Sequence, residues 1–334
     1  MYITLRNLLF HARHGVMPQE REVGQRYEVT ARLELPDAAS LPALLDDQLT
    51  GTANYADAYA TIREEMQQPS QLIEHVAERM AEALLCRFPQ VTAVDVELTK
   101  LTPPIPGFDG HGASVRVSRQ RTLLVLDFDG TLADTSRGII STMNATFDAC
   151  GYPHATDEAI CHTIGLPLTD SIALLARGIS GEELEHATAT YRRLFEEIGA
   201  LNVPAFPHVS EVLHRLHRMG VTMAVATSRG HESVTRLCRN IGILDCMSHI
   251  IACEDVRQAK PHPEAVLTLM QATEIGPERT WVVGDTTYDI GMGRRAGART
   301  IGVTYGNHSR EALEEACATR IIDNFAQLPA IVLG

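Results

Sequence analysis

No apolar run in this chain approaches the roughly 20 residues that a bilayer-spanning helix needs. The N-terminal stretch MYITLRNLLFHARHGV has no charged start, long apolar core and small-residue cleavage site, so it does not read as a signal peptide. Positive charge is in deficit: 29 Lys and Arg face 42 Asp and Glu, a formal net charge of −13. That balance argues against nucleic acid or an anionic membrane as partner. It also means that any phosphate site needs a local cation and a metal. Paired cysteines are missing as well. The seven cysteines are odd in number and scattered, with no CxxC or Cys/His ligand spacing, which excludes a disulfide framework and a zinc ribbon. They read as reduced, mostly buried thiols of a cytoplasmic protein. There are no low-complexity tracts and no short repeats. What remains is ordinary globular composition, 45% hydrophobic and 21% charged, over 334 residues. That length suggests two or three domains.

The stretch Leu123–Thr135, LLVLDFDGTLADT, organises the rest. Four apolar residues run into Asp127-Phe128-Asp129-Gly130-Thr131, and a helical pattern follows, as expected for the first strand of a parallel α/β sheet. In such sheets chemistry gathers at the carboxyl ends of the strands. Asp127 and Asp129 are two apart in extended chain, so both side chains point the same way. Two carboxylates held together repel unless a cation lies between them or one keeps its proton. A bound Mg²⁺ would leave Asp127 an ionised nucleophile, and a protonated Asp129 would be a general acid. An acidic turn closing a core strand is the bland alternative for this pair alone.

Before that stretch, Ile3, Leu5, Leu8 and Phe10 suggest a strand, with Tyr27, Val29, Ala31 and Leu33 alternating as its antiparallel partner. Amphipathic helices are expected at about Ala56–Met66 and Gln71–Phe88, then strands at about Ala93–Leu98 and Ala113–Val117. The order ββααββ is a compact α+β unit with helices on one face of a sheet. Its informative polar residues are Glu20 in the loop of HGVMPQE, Tyr55 in TANYADAY, Glu74 opening the helix of QLIEHVAERMA, and Lys100 closing a strand before LTPPIPG. His14 reads as a loop histidine. Alone, Glu74 would be a helix-start carboxylate, Lys100 a solvated strand end, and Tyr55 a packed ring with a wet hydroxyl.

Together these stretches, in this order and spacing, resemble dihydroneopterin aldolase of folate biosynthesis over the whole of residues 1–118. The resemblance implies the tunnelling fold and homo-oligomeric rings, tetramers or octamers, with active sites between neighbouring subunits. It implies that Glu74 anchors the pterin through two parallel N–H bonds, that Lys100 and Tyr55 form the acid/base pair, and that Glu20 positions water or substrate. No cofactor is expected, because the C=N bond of the reduced pterin absorbs the charge left by C–C cleavage.

After Asp134-Thr135 a helical excursion is expected over about 137–200, including His162-Thr163-Ile164-Gly165-Leu166-Pro167. Strands then resume at Val221–Ala226, Ile250–Cys253, Thr280–Val283 and Arg299–Val303, with a helix near Ser309–Cys317. Each polar cluster falls just after a strand, on the edge where Asp127 sits. Asp127 would attack phosphorus and form an aspartyl phosphate. Asp129 would protonate the leaving oxygen and then take a proton from water. Thr227 would donate to a phosphate oxygen, and Lys260 would supply fixed positive charge. Asp285 would bind Mg²⁺ with Asp127 and the Asp129 main-chain carbonyl, and Asp289 would steady the waters of the metal. The set DxDGT, strand-end Thr, KPxP and GDxxxD resembles the haloacid dehalogenase-like hydrolases across residues 122–334, nearest to the phosphoglycolate phosphatase type with an inserted helical cap. That family implies a Rossmann-like α/β fold. Two departures are visible: His208 where relatives often have Gly, and Arg229 where Lys is common. Neither is expected to touch the catalytic set.

Residues 119–121 are expected as a short linker holding the domains close. The economical function joins the halves: a phosphatase releasing dihydroneopterin from its monophosphate, and an aldolase cleaving it to 6-hydroxymethyl-dihydropterin and glycolaldehyde. The alternatives are a phosphatase for phosphoglycolate or pyrophosphate, a first domain that chiefly epimerises the side chain, and an inactive ring that only multimerises a phosphatase.

Overall fold

The computed structural model describes residues 1–36, 46–200 and 203–333. The chain divides into two compact units, Met1–Arg121 and Thr122–Gly334.

In the first unit, β1 (Tyr2–Ala12), β2 (Gln25–Glu34), β3 (Ala93–Lys100) and β4 (Ala113–Gln120) form an antiparallel sheet in the order β1-β2-β3-β4. Alternation in β2 sends Tyr27, Val29, Ala31 and Leu33 into a core shared with Val76, Met80 and Leu84 of the helix Ile73–Arg87 and with Ile62 of the helix Tyr55–Gln67. The register sets Tyr27 opposite Lys100. Two sequence expectations need correction here. Glu20 lies in a short helix, Pro18–Glu22, rather than a loop, because Pro18 presets the first turn and the Glu20 carboxylate reaches back to the Met17 amide. His14 does lie in the loop after β1, and is fully buried there with its ring edge-on to Tyr27. The linker residues are structured: β4 runs through Gln120, and the Arg121 amide pairs with the Thr92 carbonyl. The Arg121 guanidinium also donates to the Leu85, Phe88 and Val91 carbonyls near the end of the helix Ile73–Arg87, satisfying carbonyls that a helix end leaves orphaned.

In the second unit, six parallel strands lie in the order β10-β9-β8-β5-β6-β7: β5 (Leu123–Leu126), β6 (Thr222–Ala226), β7 (His249–Ile251), β8 (Thr280–Gly284), β9 (Arg299–Val303) and β10 (Arg320–Ile322). All four residues of β5 are buried, as a strand covered on both faces requires. Its even positions join one core and its odd positions another. β5 pairs with β6 on one side and β8 on the other, so the strand order reverses around it. Such a reversal opens a crevice at the carboxyl ends.

Between β5 and β6 the chain inserts a cap of helices, Ser136–Cys150, Asp157–Cys161, Leu168–Leu175 and Gly181–Leu194, ending in a π turn at Phe195–Gly199. The short strand β10 and the final helix Leu328–Val332 went unread in the sequence. Each is too short to carry a period. No helix among the described residues is long and apolar enough to cross a membrane.

Candidate active sites

The carboxyl ends of β5, β6 and β8 bring together most of the polar residues singled out in the second unit. Asp127 leaves β5 with its amide bonded to the Val283 carbonyl. Lys260 places Nζ 2.5 Å from Asp127 Oδ1 and 2.7 Å from Asp289 Oδ1, and its side chain is about 5% exposed. Asp285, fully buried after β8, accepts from Thr131 Oγ1 at 3.0 Å and from the Asn307 backbone and side-chain nitrogens, each at 2.7 Å. Asp289 caps its own helix, with Oδ2 taking the Thr286 amide and hydroxyl. Thr227 is buried at the end of β6. Its hydroxyl accepts from the Arg229 amide at 3.2 Å.

Asp127, Asp285 and Asp289 offer oxygens that all lie within 4.8 Å of one another. Burial pushes the Asp127 carboxyl well up; Lys260 opposes this, and Asp289, Asp285 and Asp129 add to it. Burial, then Asp289, raises Asp285 to about 7. Lys260 keeps its charge against burial because Asp127 and Asp289 hold it. Three buried carboxylates with one ammonium are short of positive charge. A Cβ at either Gly130 or Gly306 would overlap the Asp285 carboxylate, so the backbone closes tightly around this acid. An all-oxygen donor set with this deficit fits a hard divalent cation such as Mg²⁺. Both Asp289 oxygens are already engaged, which suits it to hold ligands of the metal rather than the metal.

Asp129 faces another way. Its carboxylate receives Thr135 Oγ1 at 2.6 Å and a two-pronged contact from Arg229, with Nε at 2.7 and 2.8 Å and Nη2 at 2.7 Å. The expectation that Arg229 stands clear of the catalytic set is therefore wrong: the loop after β6 folds back over Asp129 and brings the guanidinium to it. His208 does stay apart, at the start of the helix Val209–Arg218 with φ 68°, the left-handed region that favours glycine. The roles of Thr131, Thr135 and Asn307 escaped the sequence reading. Arg229 and Asn307 had a usable signal, since each follows a strand end on the reactive edge.

Above the site lies a cavity of about 610 Å³ between core and cap, floored by Asp127 and Asp129. On the cap side, Ile139, Met143, Ile164, Leu168, Tyr191 and Phe195 line it beside polar Thr163, Ser171, Arg192 and Glu196.

The first unit gathers less. Lys100 Nζ lies 2.7 Å from Glu20 Oε1, and both side chains are mostly buried. Gln25 Nε2 donates to Glu20 Oε1 at 2.9 Å, and the Met17 amide donates to Oε2 at 3.0 Å. Burial favours protonation of Glu20, but the Lys100, Met17 and Gln25 hydrogen bonds outweigh it and hold the carboxyl below its usual range. Tyr55 begins its helix just after the Asn54 cap and is 71% exposed. Glu74, in the first turn of Ile73–Arg87, is also exposed. Among the described residues no hydrogen bond or ion pair joins Tyr55 or Glu74 to the Glu20–Lys100 pair.

Comparison with known proteins agrees with this division. A family model for haloacid dehalogenase-like hydrolase matches residues 124–303, and one for dihydroneopterin aldolase matches residues 3–118. "Probable phosphatase IndB" of Dickeya dadantii is 35% identical, over 62% of this chain and 92% of its own length. "Phosphoglycolate phosphatase 1" of Pseudomonas aeruginosa is 31% identical, over 63% and 79%. A crystal structure from Bacteroides fragilis, described as a haloacid dehalogenase-like hydrolase, superimposes with a TM-score of 0.59 at 31% identity, over 63% of this chain and all of that one. With its DxD strand end, buried lysine and acidic cluster beneath an inserted cap, the chain belongs to the haloacid dehalogenase-like hydrolases, and its first 118 residues carry a dihydroneopterin aldolase domain.

Proposed function

We propose that the chain performs two consecutive steps on one pterin: Mg²⁺-dependent removal of phosphate from dihydroneopterin monophosphate, then cleavage of dihydroneopterin to 6-hydroxymethyl-dihydropterin and glycolaldehyde. The observation that carries this is the roomy cavity over Asp127, with two aromatic rings in its wall, in a chain that also holds an aldolase domain. A pocket of about 610 Å³ lies within the range used for drug-sized ligands. It is far roomier than a two-carbon phosphoacid needs, and its Tyr191 and Phe195 rings suit a flat bicyclic leaving group.

In the phosphatase, Asp127 attacks phosphorus and the ester oxygen leaves with a proton from Asp129. Water then opens the aspartyl phosphate as Asp129 takes a proton back. Lys260 holds Asp127 in place and offsets its charge. Asp127, Asp285 and the Asp129 carbonyl would hold Mg²⁺, with Asp289 behind them, and the ion supplies charge neutralisation for the phosphoryl group. Thr227 would donate its hydroxyl to a phosphoryl oxygen.

In the aldolase, Glu74 would grip the pterin edge, and Lys100 with Tyr55 would move protons beside Glu20. The exposure of Tyr55 and Glu74, together with exposed Val16, Met17, Leu72 and Ile105, supports a site completed by a second copy of the chain in a homo-oligomer. The tunnelling fold and ring assembly that the resemblance implies belong to this same reading.

The test follows inorganic phosphate and glycolaldehyde together from dihydroneopterin monophosphate and Mg²⁺. Release of both products supports the two-step reading. Cleavage of free dihydroneopterin with no phosphate released from the ester defeats it. In that case phosphoglycolate, favoured by the name of the Pseudomonas aeruginosa relative, is the next substrate to try.

A further inference from the structure

The mechanism above leaves one buried cation of the second unit without a task. Arg229 lines the cavity with its side chain about 11% exposed. Its guanidinium spends its Nε and one terminal nitrogen on Asp129. The central carbon of the same group lies over the Phe195 ring, 4.3 Å from its centre. Phe195 belongs to the cap, is buried, and stacks on Tyr191 at 6.1 Å with 19° between the rings. One side chain thus touches both the proton-carrying acid and the cap wall that meets the leaving group.

We infer that Arg229 is the positioning residue of Asp129, fixing the acid's orientation for proton transfer and transmitting the placement of the cap to it through Phe195. Two physical arguments carry this. A carboxylate held by a guanidinium fork on one side and the Thr135 hydroxyl on the other cannot rotate freely about its side-chain bond. The guanidinium also lies where charge appears during the reaction. As the Asp127–phosphorus bond forms and the bond from phosphorus to the ester oxygen breaks, the proton of Asp129 passes to that oxygen, which departs as an alcohol. Asp129 remains as a carboxylate facing Arg229, a preorganised counter-charge. When water attacks the aspartyl phosphate, its proton returns to Asp129, and inorganic phosphate and free Asp127 result.

The inference rests on phosphoester hydrolysis at Asp127 and not on the identity of the pterin. Its signature is a dependence on the leaving group. A nitrophenolate departs without a proton, whereas an alkoxide needs one. We would measure kcat/KM for p-nitrophenyl phosphate and benzyl phosphate, two esters of similar size, with Mg²⁺ and the full-length chain. In Arg229→Met the ratio of the first to the second is expected to rise about 100-fold, the lower end of what general acid catalysis contributes. Arg229→Lys, which keeps the charge but loses the fork, should raise it about tenfold, as should Phe195→Leu. If both esters slow equally, so that every ratio stays within about threefold of wild type, Arg229 only supports the fold and the inference is overturned. Wild-type protein that hydrolyses neither ester removes the phosphatase reading and this inference with it. Wild-type protein that hydrolyses both esters but not dihydroneopterin monophosphate removes only the pterin substrate, and the ratios still decide the role of Arg229.

Discussion

In the second unit Asp127, Lys260, Asp285 and Asp289 are each no more than 8% exposed, and every one has a partner from the same chain. In the first unit Tyr55 is 71% exposed, Glu74 faces solvent, and only Glu20 and Lys100 meet. The contrast follows from architecture. A parallel sheet with a reversal of strand order brings several strand ends to one crevice, and an inserted cap roofs it, so a site can be finished within one chain. A four-stranded antiparallel sheet with two helices on one face has no such crevice, and its reactive residues stand at helix starts and a strand end. The first design crowds acids into a set that fits a cation. The second leaves Tyr55 and Glu74 open to solvent.

The sharpest way to break this contrast is at the nucleophile. Asp127→Asn should lower phosphate release by at least about 10⁴-fold, since no other group can form the covalent intermediate. Cleavage of free dihydroneopterin should stay within about twofold of wild type. Loss of both activities would mean that the units do not work independently. The converse variant, Lys100→Ala, removes the partner of Glu20 and should lower glycolaldehyde formation by about 10²- to 10⁴-fold, with phosphate release unchanged. If phosphate release falls in parallel, the first unit is a scaffold for the second. Removal of divalent cations separates the units without mutation. Chelation should abolish phosphate release and restore it on adding Mg²⁺, while glycolaldehyde formation from dihydroneopterin is unaffected. An aldolase equally sensitive to chelator would overturn the cofactor-free chemistry assigned to it.

Much of this contrast was legible in the sequence, for a physical reason. Buried strands such as Leu123–Leu126 announce themselves by continuous hydrophobicity, and residues fixed by chemistry, such as Asp127 and Asp285, sit just past the strands that present them. Arg229 was misjudged because its role depends on where a loop folds back, which no local pattern encodes. Its position two residues after Thr227 on the reactive edge was a better guide than the assumption that a departure is neutral. Arg119–Arg121 looked like a linker because charged, non-periodic residues usually mark one. The Arg121 guanidinium instead finds three carbonyls at a helix end, which only the packed structure displays. His14 lies in a loop as its sequence suggests, but its full burial against Tyr27 is something only the packed structure displays.

That buried histidine gives the smallest expected effect and one that separates the units by pH. Burial, then the charges of Arg79 and Lys100, outweighs a backbone hydrogen bond and lowers His14 from 6.5 to about 4. In the unfolded chain the imidazole takes a proton near pH 6.5, while in the folded unit it resists until about pH 4. The unfolded state therefore binds more protons between these values, and stability must fall as pH falls through that window. A shift of this size corresponds to about 3 kcal/mol by pH 4. Glu20 acts in the same direction but only below its unfolded value of 4.5, whereas Glu82, raised by burial and by Glu78, opposes His14 above that value. The sole tryptophan, Trp281, is in the second unit, so hydrogen exchange at the β2 amides of Val29, Ala31 and Leu33 is the better probe of the first. Protection there should drop about tenfold or more between pH 6.5 and 5, after correction for intrinsic exchange, and His14→Phe should flatten the drop. A wild-type profile already flat over that interval would show that His14 takes up its proton without opening the unit.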